Sequence, residues 1–175
     1  MPAYTQLIPS SELSAGQAAA IRNEVINKLV QLAVSQLNVT ADKLVVRDIR
    51  PATDLDFGTE DWYETTGTTT GAFETMTTGT MGDERFVGIY GVKDDPDAFG
   101  SVSQIRFNIG GGDRAFWTLQ SLNEEDGFVG LSPAGVLISQ NTPYTIARYV
   151  VRASRAAHLV LKGVVVEPRG RTVSP

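Results

Sequence analysis

Side chains equipped for chemistry are few in this chain. It contains one histidine, His158, and no cysteine. A nucleophile activated by imidazole would have to use His158. That residue opens the apolar run His158-Leu159-Val160-Leu161, where a surface-facing or hydrogen-bonded histidine is the ordinary case. Carboxylate pairs come next, at Asp54/Asp56 and at Asp94/Asp95/Asp97. Two carboxylates roughly 5–9 Å apart in a cleft would suit glycoside hydrolysis. Both groups lie in Gly- or Pro-containing stretches, however, where aspartate is common turn chemistry. Asp54-x-Asp56-x-Gly58 starts like a calcium loop, but Thr59 stands where the sharp-turn glycine belongs and Thr65 where the bidentate glutamate belongs. A loose oxygen-rich calcium site is the form left open. One histidine cannot furnish a cupin-type metal centre. Gly110-Gly111-Gly112-Asp113 lacks the Lys-Ser/Thr of a phosphate loop and reads as a turn. The expectation is a protein that is not an enzyme, with no catalytic residue, no metal and no cofactor.

Binding chemistry is better represented. Trp62-Tyr63 sits among acids and suits sugar stacking or partner docking, with a core or hinge plug as the competing reading. Trp117 alternates with Leu119 and reads as core. Met1–Leu13 carries Pro2 and Pro9, which resist helix, and three apolar anchors. The candidate partner-binding residues are therefore Tyr4, Leu7, Ile8, Trp62 and Tyr63.

The elements that must position these groups are mainly strands. Val102–Ile109, Ala115–Leu122, Gly135–Ser139, Tyr144–Arg152 and His158–Glu167 are short apolar runs cut by turn residues. In the first, Ile105, Phe107 and Ile109 alternate with Gln104, Arg106 and Asn108, the period of a half-buried strand. Lys43–Arg50 and Arg85–Val92 add two more. Dense strands without intervening helices indicate an antiparallel sandwich. One long amphipathic helix precedes them. Ser14 and Gln17 form a capping box, Ile21, Val25, Leu29 and Leu32 form a stripe with Ile26, Ala33 and Leu37 beside it, and Asn38 suits the C-terminal cap. The expected division is an arm and helix over 1–41 and a β-sandwich domain over 42–175. The proline-containing arm suggests that arm and helix pack outside their own domain, on a neighbouring subunit or on a larger assembly. Thr65–Met81, with nine threonines and three glycines, reads as a mobile β-loop.

The net charge is −5, unevenly spread: residues 42–97 hold thirteen acids and five bases, residues 98–175 five acids and eight bases. Such a split could orient one face toward a partner. No dense Lys/Arg stripe is present, so nucleic-acid binding is not expected. No run approaches the roughly 20 apolar residues that span a bilayer. Met1–Ser10 has no basic leader region. A soluble protein without a signal peptide and without membrane contact is expected.

The segments Ile105-Arg106-Phe107, Trp117-Thr118-Leu119, Ile138-Ser139-Gln140-Asn141-Thr142-Pro143 and Leu161-Lys162-Gly163-Val164-Val165-Val166-Glu167-Pro168-Arg169-Gly170 resemble β-sandwich proteins of viral particles. The likeness is to the decoration (cement) proteins of tailed-phage heads, and secondarily to single jelly-roll minor capsid proteins. It implies a jelly-roll-like sandwich on the virion surface that bridges subunits of a major capsid protein, as a homo-oligomer with a trimer favoured. A carbohydrate- or receptor-binding module is the alternative, and a glycan-active sandwich using Asp/Glu pairs is a third.

Overall fold

Alternation along the strands becomes two faces of two sheets in the computed structural model, which describes residues 3–57, 63–94, 102–119, 129–154 and 156–170. In chain order the elements are β1 (Ala3–Gln6), β2 (Ile8–Pro9), α1 (Ala15–Leu37), β3 (Leu44–Asp48), α2 (Pro51–Leu55), β4 (Tyr63–Thr66) and β5 (Ala72–Thr80). They continue as β6 (Phe86–Asp94), β7 (Val102–Ile109), β8 (Gly112–Thr118), β9 (Val129–Ile138), β10 (Pro143–Val150) and β11 (Ala156–Pro168). The first sheet has the order β1-β8-β7-β10-β5; the second runs β2-β9-β6-β11-β3, with β4 also paired to β11.

Four antiparallel pairs nest inside one another: β7 with β8, β6 with β9, β5 with β10 and β3 with β11. Successive pairs alternate between the sheets, so one long ribbon is rolled over itself. That is the eight-stranded jelly roll. The innermost pair turns through Gly110 and Gly111, with φ of 65° and 80°. Both glycines take the positive φ that a two-residue hairpin turn requires.

Between the sheets lies the main core, which includes Trp117, Phe107, Ile105, Ile89, Phe57 and Leu7. The Phe107 and Trp117 rings meet edge to face at 4.6 Å. A second core lies outside the six-stranded sheet, where Val25, Leu29 and Ala33 of α1 cover Phe86, Val164 and Val166. The capping box at Ser14 and Gln17 starts the helix, and Asn38 closes it in the left-handed conformation at φ 54°. Val25 reaches the sheet because Gly88 and Gly135 have no side chain there. A Cβ on either would lie 2.6 Å from a Val25 methyl.

Three expectations are corrected. The helix packs on its own sheet rather than on a neighbour, because β11 carries Val164, Val165 and Val166 in succession, all buried, and needs a cover on each face. The arm likewise lies on its own sandwich: β1 extends the first sheet alongside β8, and β2 extends the second alongside β9. The threonine-rich stretch is not a mobile loop. Residues 72–80 are an edge strand, and the preceding turn is tied down by Glu74 Oε1. That oxygen accepts from Thr68 N (2.7 Å), Thr68 Oγ1 (2.7 Å) and Thr69 N (2.8 Å).

Candidate functional site

Because α1 covers the six-stranded sheet, the outer face of the five-stranded sheet is the broad sheet face without a second layer among the described residues. Its side chains are the alternates of those in the core. In β7 these are Gln104, Arg106 and Asn108; in β8 they include Phe116, which projects away from Ala115 and Trp117 in the core. The register sets Tyr4 beside Phe116, Phe116 beside Arg106 and Arg106 beside Ala147. Phe73 stands opposite Tyr149.

Together these residues form an aromatic row across the sheet. Tyr4 stacks on Phe116 with ring centres 4.9 Å apart and planes 13° from parallel. Phe73 meets Phe116 at 6.1 Å and Tyr149 at 5.1 Å, edge to face in both cases. The Arg106 guanidinium lies 4.5 Å from the Phe73 ring centre, within cation–π range. Its Nε is buried without a hydrogen-bond partner and lies 3.9 Å from Asp113 Oδ1, which in turn accepts from Asn108 Nδ2 at 2.9 Å. Tyr4, at the sheet edge, is 72% exposed. An exposed tyrosine, a planar cation and the half-buried Phe73 ring, backed by the buried Phe116, are side chains of the kind that anchor protein partners, and an open tyrosine face also stacks on sugars.

Of the five residues singled out by sequence, the four that are described do not form one site. Tyr4 lies in this row. Leu7 is 1% exposed and plugs the protein's own core, so it is no surface anchor. Ile8 is half-buried in β2, opposite Leu131. Tyr63 belongs to β4, opposite Leu159 on the other sheet, and Trp62 lies outside the described residues. Sequence reasoning missed Phe73, Arg106, Phe116 and Tyr149. Arg106 was legible as an outward residue. Phe116 was hidden because Ala115, Phe116 and Trp117 are all buried, which erases the alternation.

Of the carboxylate candidates, Asp54 has a structural occupation. Asp54 takes a bidentate grip from Arg47, with Nη1–Oδ2 and Nη2–Oδ1 both at 2.7 Å, and accepts from Arg50 N at 2.7 Å. Glu167 binds Arg47 Nε at 2.9 Å, and Arg85 lies 3.5 Å from Asp54 and 3.4 Å from Glu167. Burial would raise the Asp54 pKa, but Arg47, the Arg50 amide and Arg85 together hold it below the usual value. Two acids and two bases thus close a near-neutral cluster that fastens α2 to the sheet. Both Asp54 oxygens are therefore engaged, and residues 58–62 of the loop lie outside the described residues. Asp94 ends β6, while Asp95 and Asp97 lie outside the described residues; His158 lies in β11 opposite Glu64. A groove of about 430 Å³ beside α1 holds Tyr90, Lys162, Arg22 and Asp48, the last two already paired at 2.9 Å. Among the described residues no group of three or more potential metal ligands occurs, and no helix is long and apolar enough to cross a membrane.

No family model matches the chain, and no curated protein matches it. Among solved structures, the VP2 subviral particle of infectious bursal disease virus is similar at 13% identity and a TM-score of 0.32, over 71% of this chain and 32% of that one. The acetyl xylan esterase Est2A of the rumen bacterium Butyrivibrio proteoclasticus is similar at 14% identity and a TM-score of 0.30, over 75% of this chain and 34% of that one. The chain spans about a third of each. Likenesses this slight carry no argument about function.

Proposed function

We propose that this chain is a non-catalytic structural module that docks onto a protein assembly through the outer face of its five-stranded sheet. The observation that carries the reading is the row Tyr4, Phe116, Arg106, Phe73 and Tyr149 on a sheet face that no second layer covers among the described residues, while α1 covers the other sheet. Aromatic and arginine side chains on a rigid, strand-built platform supply contact area at little ordering cost. The assembly proposed is a virus shell, as the resemblance to phage-head decoration proteins implies. In that setting the partner is the major capsid protein, the site is the virion surface, and the module acts as a homo-oligomer with a trimer favoured.

Co-sedimentation with purified particles tests this. Arg106→Glu and Phe73→Ala should each weaken particle binding at least tenfold, with the unfolding midpoint of each variant recorded to separate misfolding from lost contact. Unchanged binding by a folded Arg106→Glu variant would refute the reading. The exposed Tyr4 ring favours one rival, a carbohydrate-binding module, because its outer face lies open at the sheet edge. A glycan array separates the two: sugar binding abolished by Tyr4→Ala supports the rival, and particle binding without sugar binding supports docking.

A further inference from the structure

Residues 3–9 close the open edge of the jelly roll as a strap. The outermost strands of the rolled ribbon on that side are β8 in one sheet and β9 in the other. Strand β1 lies parallel along β8, pairing Ala3 with Ala115 through Gln6 with Thr118. The chain then crosses to the other sheet, where Ile8 and Pro9 pair with Leu131 and Gly130. Leu7, at the crossing, is 1% exposed and belongs to the main core. Besides Leu7, Pro9 is buried, while Thr5 and Ile8 are half-buried and Tyr4 and Gln6 exposed.

A short connection joins the strap to α1. Ser10–Glu12 forms a single 3-10 turn with no buried residue and no side-chain cap. Immediately after it, α1 starts on its own reciprocal Ser14–Gln17 capping box, so the helix does not need the strap to define its beginning. All strap contacts are made to a groove that every copy possesses, and the chain contains no disulfide that would keep the strap at home.

We infer that the strap is an exchangeable arm, and that residues 3–9 of one copy fill the β8–β9 edge of a second copy when two are held close. The occupant is fixed by the groove itself, which already displays the complementary segment: a parallel four-residue ladder, a pocket for one leucine, and the Phe116 ring for a tyrosine. Exchange preserves each of these contacts, so it is decided by strain in the connection and local concentration rather than by new interactions. Opening the connection lets the six steps from Pro9 to Ala15 reach roughly 20 Å, which sets the separation of exchanging neighbours. In the exchanged form Tyr4 of one copy completes the aromatic row of the next.

The lack of cysteine makes a cross-link test clean. Gln6 and Thr118 are register partners with both side chains on the outer face. A Gln6→Cys chain and a Thr118→Cys chain are unfolded together, refolded at about 1 mM, the effective concentration of a short tether, and oxidised. Exchange predicts a disulfide-linked heterodimer whose share rises with protein concentration and reaches at least a tenth of the chains. The same refolding of the unmodified protein, followed by light scattering, should give a dimer that persists on dilution. Only monomer, or a dimer without the heterodimer cross-link while the Gln6→Cys/Thr118→Cys double variant closes within one chain, overturns the inference. Neither readout involves a particle, so this test stands or falls separately from the docking reading.

Discussion

Replacing Gly88 by alanine tests whether α1 is built into its own domain. The new Cβ would lie 2.6 Å from Val25 Cγ1 and 3.4 Å from Leu29 Cδ2 and Leu137 Cδ2. The other Val25 methyl sits close over Gly135, 2.6 Å from where a Cβ there would be, so Val25 fills the gap between the two glycines. Overpacking of this kind costs about 1–3 kcal/mol. Removing glycine from a strand interior returns about 0.5–1 kcal/mol, leaving a net loss of about 1 kcal/mol between the middles of the two ranges. Val25→Ala alone deletes two buried methyl groups, about 1.6 kcal/mol by transfer, and about 2–3 kcal/mol once the cavity is included. In the double variant the alanine methyl occupies the vacated space, so the combined loss should fall about 1–2 kcal/mol short of the sum. For a chain of this size each kcal/mol moves the melting temperature about 2–4 °C. Urea titration and calorimetry of the four proteins, each at two concentrations, complete the cycle. A neutral Gly88→Ala, a double variant as unstable as the sum, or effects that scale with protein concentration would refute packing of α1 on its own sheet.

Three further outcomes follow from the charged groups. Burial would raise the Glu74 pKa, but hydrogen bonds from Thr68 and Thr69, together with Arg148, hold it at about 2, against an ordinary 4.5. A depressed carboxylate stabilises the fold above its ordinary pKa and loses that contribution as pH falls through the native value. Stability should therefore decline between about pH 4.5 and 2, and Glu74→Gln should flatten the part of that decline it contributes, as read from melting curves across the range. Arg47→Met leaves two carboxylates that are 0% and 1% exposed, Asp54 and Glu167, sharing Arg85, and should cost about 3 kcal/mol in urea titration, the lower end for a broken buried pair. Arg22→Met breaks only the exposed pair with Asp48 and should cost about 0–1 kcal/mol; equal losses would contradict this account. Adding a chelator should leave the melting temperature within error, since Arg47 and the Arg50 amide already occupy Asp54. A drop of many degrees would show that a bound cation had been overlooked.

The jelly roll was legible because most strands kept one face in the core. Ile105, Phe107 and Ile109 announced β7 without ambiguity, and the capping box gave the helix start to the residue. What was misread followed from local rules overridden by partners distant in sequence. The nine threonines of 65–81 suggested mobility, yet Glu74 draws three hydrogen bonds from Thr68 and Thr69, and β10 supplies the ladder for β5. No local pattern reveals that a carboxylate will organise the turn before it.

The destination of α1 could have been inferred from its partner rather than from itself. The helix stripe says only that something must cover Val25 and Leu29. The unbroken Val164-Val165-Val166 run says that β11 is covered on both faces, and in an isolated two-sheet sandwich nothing would cover the second. Reading the two signals together places the helix on β11 and leaves the opposite sheet bare. The same logic identifies the docking face. Once α1 is assigned, the outward residues of β7, β8, β10 and β5 are the ones without a cover, and their aromatics become conspicuous. Phe116 escaped because it lies between Ala115 and Trp117 in a uniformly buried triplet, and its burial comes from Tyr4 and Phe73 rather than from the core. A residue buried by an outward-facing row is invisible to periodicity. Only the register, which brings Tyr4 beside Phe116 from more than a hundred residues away, shows that the row exists.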